Sequence, residues 1–194
     1  MDSPYPFSAS GVLSALEIKE RNLVIGAKEN QYQINGCDLT VGKVFYPLDL
    51  PFGTKPTDMD YEKIPLILED EDVEPYWVIE KGQPVLIEIA ETINLDSEHG
   101  FAVGEFLPDG TIESTRFPTI GYAVGRSSML RIGAVVHGAF WDWGYVGKGK
   151  LLVIPMAADL LLRKGDRFAQ IAFWPANTND KQYNGSHQNE GVKV

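Results

Sequence analysis

The chain has 194 residues, of which 17 are Lys or Arg and 27 Asp or Glu, giving a formal net charge of −10 with 44% apolar and 23% charged residues. These proportions describe a soluble globular protein able to bury one substantial core, and the acidic balance excludes a broad nucleic-acid surface, which is built on clustered cations. The single cysteine, Cys37, excludes an internal disulfide; no apolar run reaches the roughly 20 residues of a membrane-spanning helix, and the start lacks a secretory pattern, so a cytoplasmic protein with no membrane partner is expected.

In chain order, serines ahead of Val12, Leu13 and Leu16 predict a short helix over Ser8 to Leu16. Strands follow at Gln31 to Ile34 and Leu39 to Phe45. Between them, Gly36-Cys37-Asp38-Leu39 places a carboxylate at a strand start, where it serves a turn or a hydrated divalent cation. Asp58 to Glu74 is acidic and proline-punctuated and reads as a solvated excursion. Further strands are predicted at Tyr76 to Ile79, Val85 to Ile93, Phe101 to Phe106, Thr119 to Val124, Ile132 to Val136, Leu151 to Met156 and Arg167 to Trp174, with one or two helical turns at Ser127 to Arg131. Many short strands between turn residues indicate a sandwich, jelly roll or barrel. Residues 1–175 form one domain, followed by a polar arm over 176–194 whose composition cannot pack a core. Such an arm is either disordered or orders over a ligand or a neighbouring subunit.

Three stretches carry chemistry. In Gly125-Arg126-Ser127-Ser128-Met129-Leu130-Arg131, a glycine permits close backbone approach, while two hydroxyls, a helix start and a guanidinium aim donors at an anion, most naturally phosphate. A helix cap at Ser127 and a surface ion pair at Arg126 are the structural alternatives. In Phe140-Trp141-Asp142-Trp143-Gly144-Tyr145-Val146-Gly147, a carboxylate set between tryptophans is costly to bury unless it is used, and Asp142 is suited to polarise a water. An Asx turn at Asp142 and core packing at Tyr145 are the alternatives there. In Gly165-Asp166-Arg167-Phe168-Ala169-Gln170-Ile171, the odd spacing predicts Arg167 and Gln170 on opposite faces of a strand, and a buried Gln170 needs a partner. His137, with no assignable carboxylate, reads as a strand histidine.

Together these segments resemble the trimeric dUTPase and dCTP deaminase superfamily, from about Ser8 onward. Gly125 to Arg131 resembles its Arg-Ser-Ser block, Asp142 to Gly147 its Asp-x-x-Tyr-x-Gly block, Gly165 to Ile171 its Gly-Asp-Arg-x-Ala-Gln block, and Asp38 its weaker first motif. The resemblance implies an all-β, distorted jelly roll of the β-clip kind with one or two short helices, assembled as a homotrimer with active sites at subunit interfaces. The deaminases carry a proton-shuttling glutamate five residues beyond the second glycine of the Gly-x-x-Gly turn; here that position is Leu152, which cannot do this work. The Trp-Asp-x-Gly-Tyr form resembles archaeal dUTPases.

What the resemblance implies is a Mg²⁺-assisted dUTP diphosphatase, with Asp142 activating water for attack on the α-phosphorus to give dUMP and pyrophosphate. Arg126, Ser127, Ser128 and Gln170 supply phosphate donors, and Arg131 serves structure or reaches the site across subunits. Tyr145 packs under the deoxyribose, backbone groups from Gly138 to Trp141 read the uracil edge, and Asp38 holds a metal through water. Tyr183 and Gln188 resemble the deaminases' Tyr-x-Gly-Lys-Tyr-Gln phosphate arm, with Ser186 in place of the lysine. The alternatives are a dCTP deaminase, or a bifunctional enzyme making dUMP from dCTP, and a non-catalytic trimer that binds deoxynucleotides.

Overall fold

Ser14, rather than an earlier serine, caps the first helix in the computed structural model, which describes residues 11–47, 64, 74–96, 101–106, 112–176 and 182–192. Helix α1 spans Ala15–Glu20, and a capping box closes it: the Glu17 N–H donates to Ser14 Oγ at 3.4 Å and the Ser14 N–H to Glu17 Oε2 at 2.8 Å. The helix therefore begins where the serine and glutamate are three apart, and its predicted start at Ser8 lies outside the described residues.

The strands are β1 Val24–Ile25, β2 Tyr32–Gln33, β3 Gly36–Phe45, β4 Tyr76–Ile79, β5 Val85–Ile89, β6 Thr92–Asn94, β7 Phe101–Phe106, β8 Ile112–Phe117, β9 Thr119–Gly125, β10 Ala134–Val136, β11 Ala139–Trp141, β12 Val146–Gly147, β13 Lys150–Pro155, β14 Leu160–Arg163 and β15 Arg167–Pro175, with helix α2 at Ser127–Arg131. The fold is the all-β, distorted jelly roll expected from the sequence, with two short helices. Its main sheet runs β10-β13-β5-β3-β15-β9-β11, with β2 also pairing β3. The long β3 binds β15 over its first half and β5 over its second, and bulges between Val41 and Lys43 and between Arg167 and Ala169 curl the sheet there. At the first bulge only glycine fits, since a Cβ on Gly42 would meet the Glu88 carbonyl oxygen at 2.9 Å.

Burial alternates along β13 and β9, so one face of each supplies the core. Leu39, Ile87, Ile89, Val153, Phe168, Ile171 and Phe173 are all buried there, each side chain contributing about 1.5–3 kcal/mol. Cys37 is fully buried among them, and burial pushes its thiol up to about 12, so it is inert.

The predicted strand Val85 to Ile93 is two strands. Glu91 ends the first by turning its carboxylate onto β3, where Oε2 accepts from the Thr40 N–H at 3.0 Å and Oε1 from Thr40 Oγ1 at 2.6 Å. Apart from Ile64 and Glu74, the excursion predicted over Asp58 to Glu74 lies outside the described residues. Ile64 is tied in at both sides, donating to the Val44 carbonyl at 2.9 Å and accepting from Trp77 Nε1 at 3.0 Å.

Candidate functional site

The predicted site residues fall into two groups. The first gathers where β3, β9 and β15 meet α2. The bulge in β15 changes its parity, so Arg167 lies opposite Thr40 and Gln170 opposite Asp38. Thr40 and Asp38 are two apart on β3 and share a face, so Arg167 and Gln170 share it too. The expectation that their odd spacing separates them is thereby corrected; the bulge supplies the missing residue. Asp38 is the hub of this group. Its side chain is 1% exposed; Oδ1 lies 3.2 Å from Arg126 Nε, and Oδ2 lies 3.3 Å from both Arg167 Nη1 and Gln33 Nε2. Burial pushes the Asp38 carboxyl above its ordinary value, against the downward pull of Arg126 and Arg167. A carboxylate committed to two guanidiniums and an amide does not fit the predicted hydrated metal; it orients Arg126 instead.

Ser127 and Ser128 are exposed at the start of α2. Arg126, the N-cap residue, makes no side-chain capping bond, and Ser127 is the first helical residue, so the capping alternative for Ser127 fails. Arg131 Nη1 donates to Ser127 Oγ at 3.2 Å, which fixes the hydroxyl from one turn away. The close approach that Gly125 permits is internal: a Cβ there would sit 2.8 Å from Val136 Cβ. The glycine serves packing and not a ligand.

The second group surrounds Asp142. Trp141, Trp143 and Tyr145 are buried while Asp142 is exposed, so the tryptophans anchor the turn and hold the carboxylate outward. This corrects the expectation of a carboxylate set among buried surfaces. Gly144 turns the chain at φ +90°, and its N–H and the Tyr145 carbonyl bond to Leu95 at 2.7 and 2.8 Å. A cavity of about 260 Å³ opens here, lined by Phe140, Trp141, Asp142, Tyr145, Lys150 and Glu190 among others. Burial pushes the Tyr145 hydroxyl's pKa up, leaving the residue to act through its ring. Leu86 also lines the cavity and lies directly opposite Leu152, so this position holds an apolar pair.

The arm, at residues 182–192, docks against the Asp142 turn of its own chain. The Tyr183 N–H donates to the Trp143 carbonyl at 2.6 Å, and the Tyr183 ring stands edge-on to Tyr145 at 5.6 Å. Gln188 Nε2 donates to the Gly144 carbonyl at 2.8 Å while its Oε1 accepts from the Val146 N–H at 3.1 Å. Glu190 pairs with Lys150, and His187 Nδ1 lies 3.8 Å from the other Glu190 oxygen. Lys150, His187 and Glu190 were not singled out from the sequence. Lys150 was within reach of it, because it precedes Leu152 by two and shares its face.

One strand separates the two groups. Trp141 pairs with Gly121, two residues in from the start of β9, and Ala169 pairs with Gly125 at its last residue, about 13 Å away at roughly 3.3 Å per residue. Asp142 and Ser127 lie beyond these two pairs, so within one chain they cannot hydrogen-bond the same small group.

The chain is similar to several known proteins. A profile of dCTP deaminase-like domains matches residues 101–176. A protein of Halobacterium salinarum described as a probable deoxyuridine 5'-triphosphate nucleotidohydrolase is 26% identical over 166 residues, covering 84% of this chain and 86% of its own. A Methanosarcina acetivorans protein of the same description is 39% identical over 70 residues, 35% of this chain and 41% of its own. In fold, the crystal structure of 2'-deoxycytidine 5'-triphosphate deaminase from Agrobacterium tumefaciens superposes with a TM-score of 0.61 at 18% identity, covering 87% of this chain and 49% of that one. This chain thus spans about half the length of that deaminase.

Proposed function

We propose that this chain, similar over residues 101–176 to dCTP deaminase-like domains and over most of its length to a probable deoxyuridine 5'-triphosphate nucleotidohydrolase, is a dUTP diphosphatase, cleaving dUTP to dUMP and pyrophosphate. The observation that carries this reading is the Asp142 cavity: it presents an exposed carboxylate beside a buried tyrosine ring, and the position of the deaminase acid is taken by Leu152 facing Leu86. Its other carboxylate, Glu190, is committed to Lys150 and is not a free proton shuttle.

In this reading Asp142 holds and deprotonates the water that attacks the α-phosphorus, a contribution typically worth 10²–10⁴-fold. Arg126, held by Asp38, joins Ser127, Ser128 and Gln170 in binding the phosphates, each charge-assisted bond contributing about 1.5–3 kcal/mol. Tyr145 packs against the sugar. Among the described residues β11 is the last strand of the main sheet and pairs with β9 alone, so its outer edge, continued by Gly138, offers backbone donors and acceptors to a pyrimidine. Tyr183 and Gln188 reach the nucleotide from the docked arm.

Because Asp142 and the Arg126 group lie at opposite ends of β9, the reading requires a second copy to complete each site, and a cyclic homotrimer supplies it. Val124, Leu130, Ile132 and Phe140 are exposed apolar residues in the vicinity of these ends, which suits burial between subunits. Among the described residues no three His, Cys, Asp or Glu side chains converge on one point, and Asp38 faces cations, so these residues do not fit a resident Mg²⁺. The cation enters instead as part of the substrate, Mg·dUTP.

Asp142→Asn preserves size and removes the base. It is expected to lower kcat by at least about a hundredfold while the Kd for dUTP measured by calorimetry stays within a few-fold. Undiminished kcat refutes the assignment of Asp142.

A further inference from the structure

A second cavity lies beside the first group and shares Arg167 with it. It measures about 420 Å³, within the range of small-ligand sites, and is lined by Lys28, Asn30, Gln31, Glu91, Lys164 and Arg167 among others. Glu91 forms its buried floor, but both oxygens are occupied: Oε1 accepts from Gln31 Nε2 at 2.7 Å and Thr40 Oγ1 at 2.6 Å, and Oε2 from the Thr40 N–H at 3.0 Å. The rim is cationic. Lys28 and Lys164 are exposed and, among the described residues, neither has a carboxylate partner, while Arg167 adds a guanidinium 37% exposed. Three cations and one carboxylate, Glu91, line this cavity in a chain of net charge −10, a local reversal of sign. An exposed cationic rim above a hydrogen-bonded polar floor selects an oxyanion over an apolar or cationic guest.

We propose that this cavity is a second anion site, which binds a diphosphate-sized phosphate oxyanion through Lys28, Lys164 and Arg167. It is wired to the first group. Arg167 Nη1 is shared between the Asn30 carbonyl at 3.0 Å and Asp38 Oδ2 at 3.3 Å, while Asp38 Oδ1 holds Arg126 Nε at 3.2 Å. An anion that draws Arg167 toward the cavity leaves Asp38 to Arg126 and Gln33, and pulls Arg126 back from the substrate. The effect on catalysis depends on the dUTPase reading; the binding does not.

The test titrates the full chain with inorganic pyrophosphate by calorimetry, in parallel with Lys28→Ala/Lys164→Ala and Ser127→Ala/Ser128→Ala, each checked for folding by circular dichroism. The lysine pair is expected to weaken the cavity's binding by at least about tenfold, while the serine pair retains it. Binding unchanged in the lysine variant, or abolished in the serine variant, overturns the proposal, as does no wild-type binding at millimolar pyrophosphate. Repeating the titration with dUTP separates the sources: dUTP heat that falls when Lys28→Ala/Lys164→Ala is added to the serine variant assigns a phosphate tail, and dUTP heat unchanged by that addition assigns a free oxyanion. In kinetics, pyrophosphate should raise the KM for dUTP less in the lysine variant than in wild type. Absence of dUTP turnover overturns the functional reading and leaves the titration result standing.

Discussion

Gln188 clasps the turn after Asp142 through both ends of its amide, to Gly144 at 2.8 Å and Val146 at 3.1 Å, and Gln188→Ala deletes both bonds. A neutral hydrogen bond contributes about 0.5–1.5 kcal/mol net, so the docked arm should lose about 1–3 kcal/mol. That corresponds to roughly a 5- to 150-fold shift toward the undocked state. The rest of the clasp survives: the Asn189 N–H to the Val146 carbonyl at 2.8 Å, the Lys148 N–H to the Glu190 carbonyl at 2.6 Å, and the Lys150–Glu190 pair. Hydrogen–deuterium exchange at the Val146, Lys148 and Asn189 amides reads the opening directly, and should accelerate by about that factor while Ile171 in the core stays protected. Tyr183 rides on the same arm, so the KM for dUTP should rise with it. Unchanged exchange at these three amides would refute the clasp as the force that holds the arm.

Other consequences are open to separate tests. Co-expressing Asp142→Asn with Ser127→Ala/Ser128→Ala, each inactive alone, should restore activity to about a quarter of the sites if each site draws its halves from neighbouring copies of a cyclic trimer; no recovery in a mixed trimer contradicts shared sites. Gly144→Ala forces a side chain into φ +90° with its Cβ 2.8 Å from Gln182 Cβ, and should cost about 1–3 kcal/mol in urea unfolding. For Asp38 the carboxyl is raised in the fold, so its contribution to stability is complete below the unfolded value of roughly 3.9 and is lost as pH rises through the folded value. Asp38→Asn removes that titration. The variant's stability relative to wild type should therefore improve across this window in a urea series, and a pH-independent difference would refute the assignment.

The sequence was most legible where local pattern and final environment agree. Tyr76 to Ile79 and Phe101 to Phe106 form strands with the predicted bounds, and Ser127 to Arg131 is the predicted helix. β11 and β12, at three and two residues, are too short to show a period, and β14 is built of leucines without β-branched support. Gln170 and Arg167 show what periodicity misses, because a single bulge reverses the face of everything on one side of it. In 176–194 composition alone averages away Tyr183 and Gln188, which the resemblance to a phosphate arm picks out; their partners lie in a turn roughly 40 residues earlier, and no window detects that. Asp38 was legible as an important carboxylate but not as an arginine anchor, because its partners come from three separate elements.

The central claim is tested most directly by incubating the purified protein with Mg²⁺ and either dUTP or dCTP, following pyrophosphate and ammonia in the same samples. Pyrophosphate released from dUTP with no ammonia from dCTP is the predicted result. Ammonia from dCTP would contradict the account, because it requires an acid where Leu152 and Leu86 face each other.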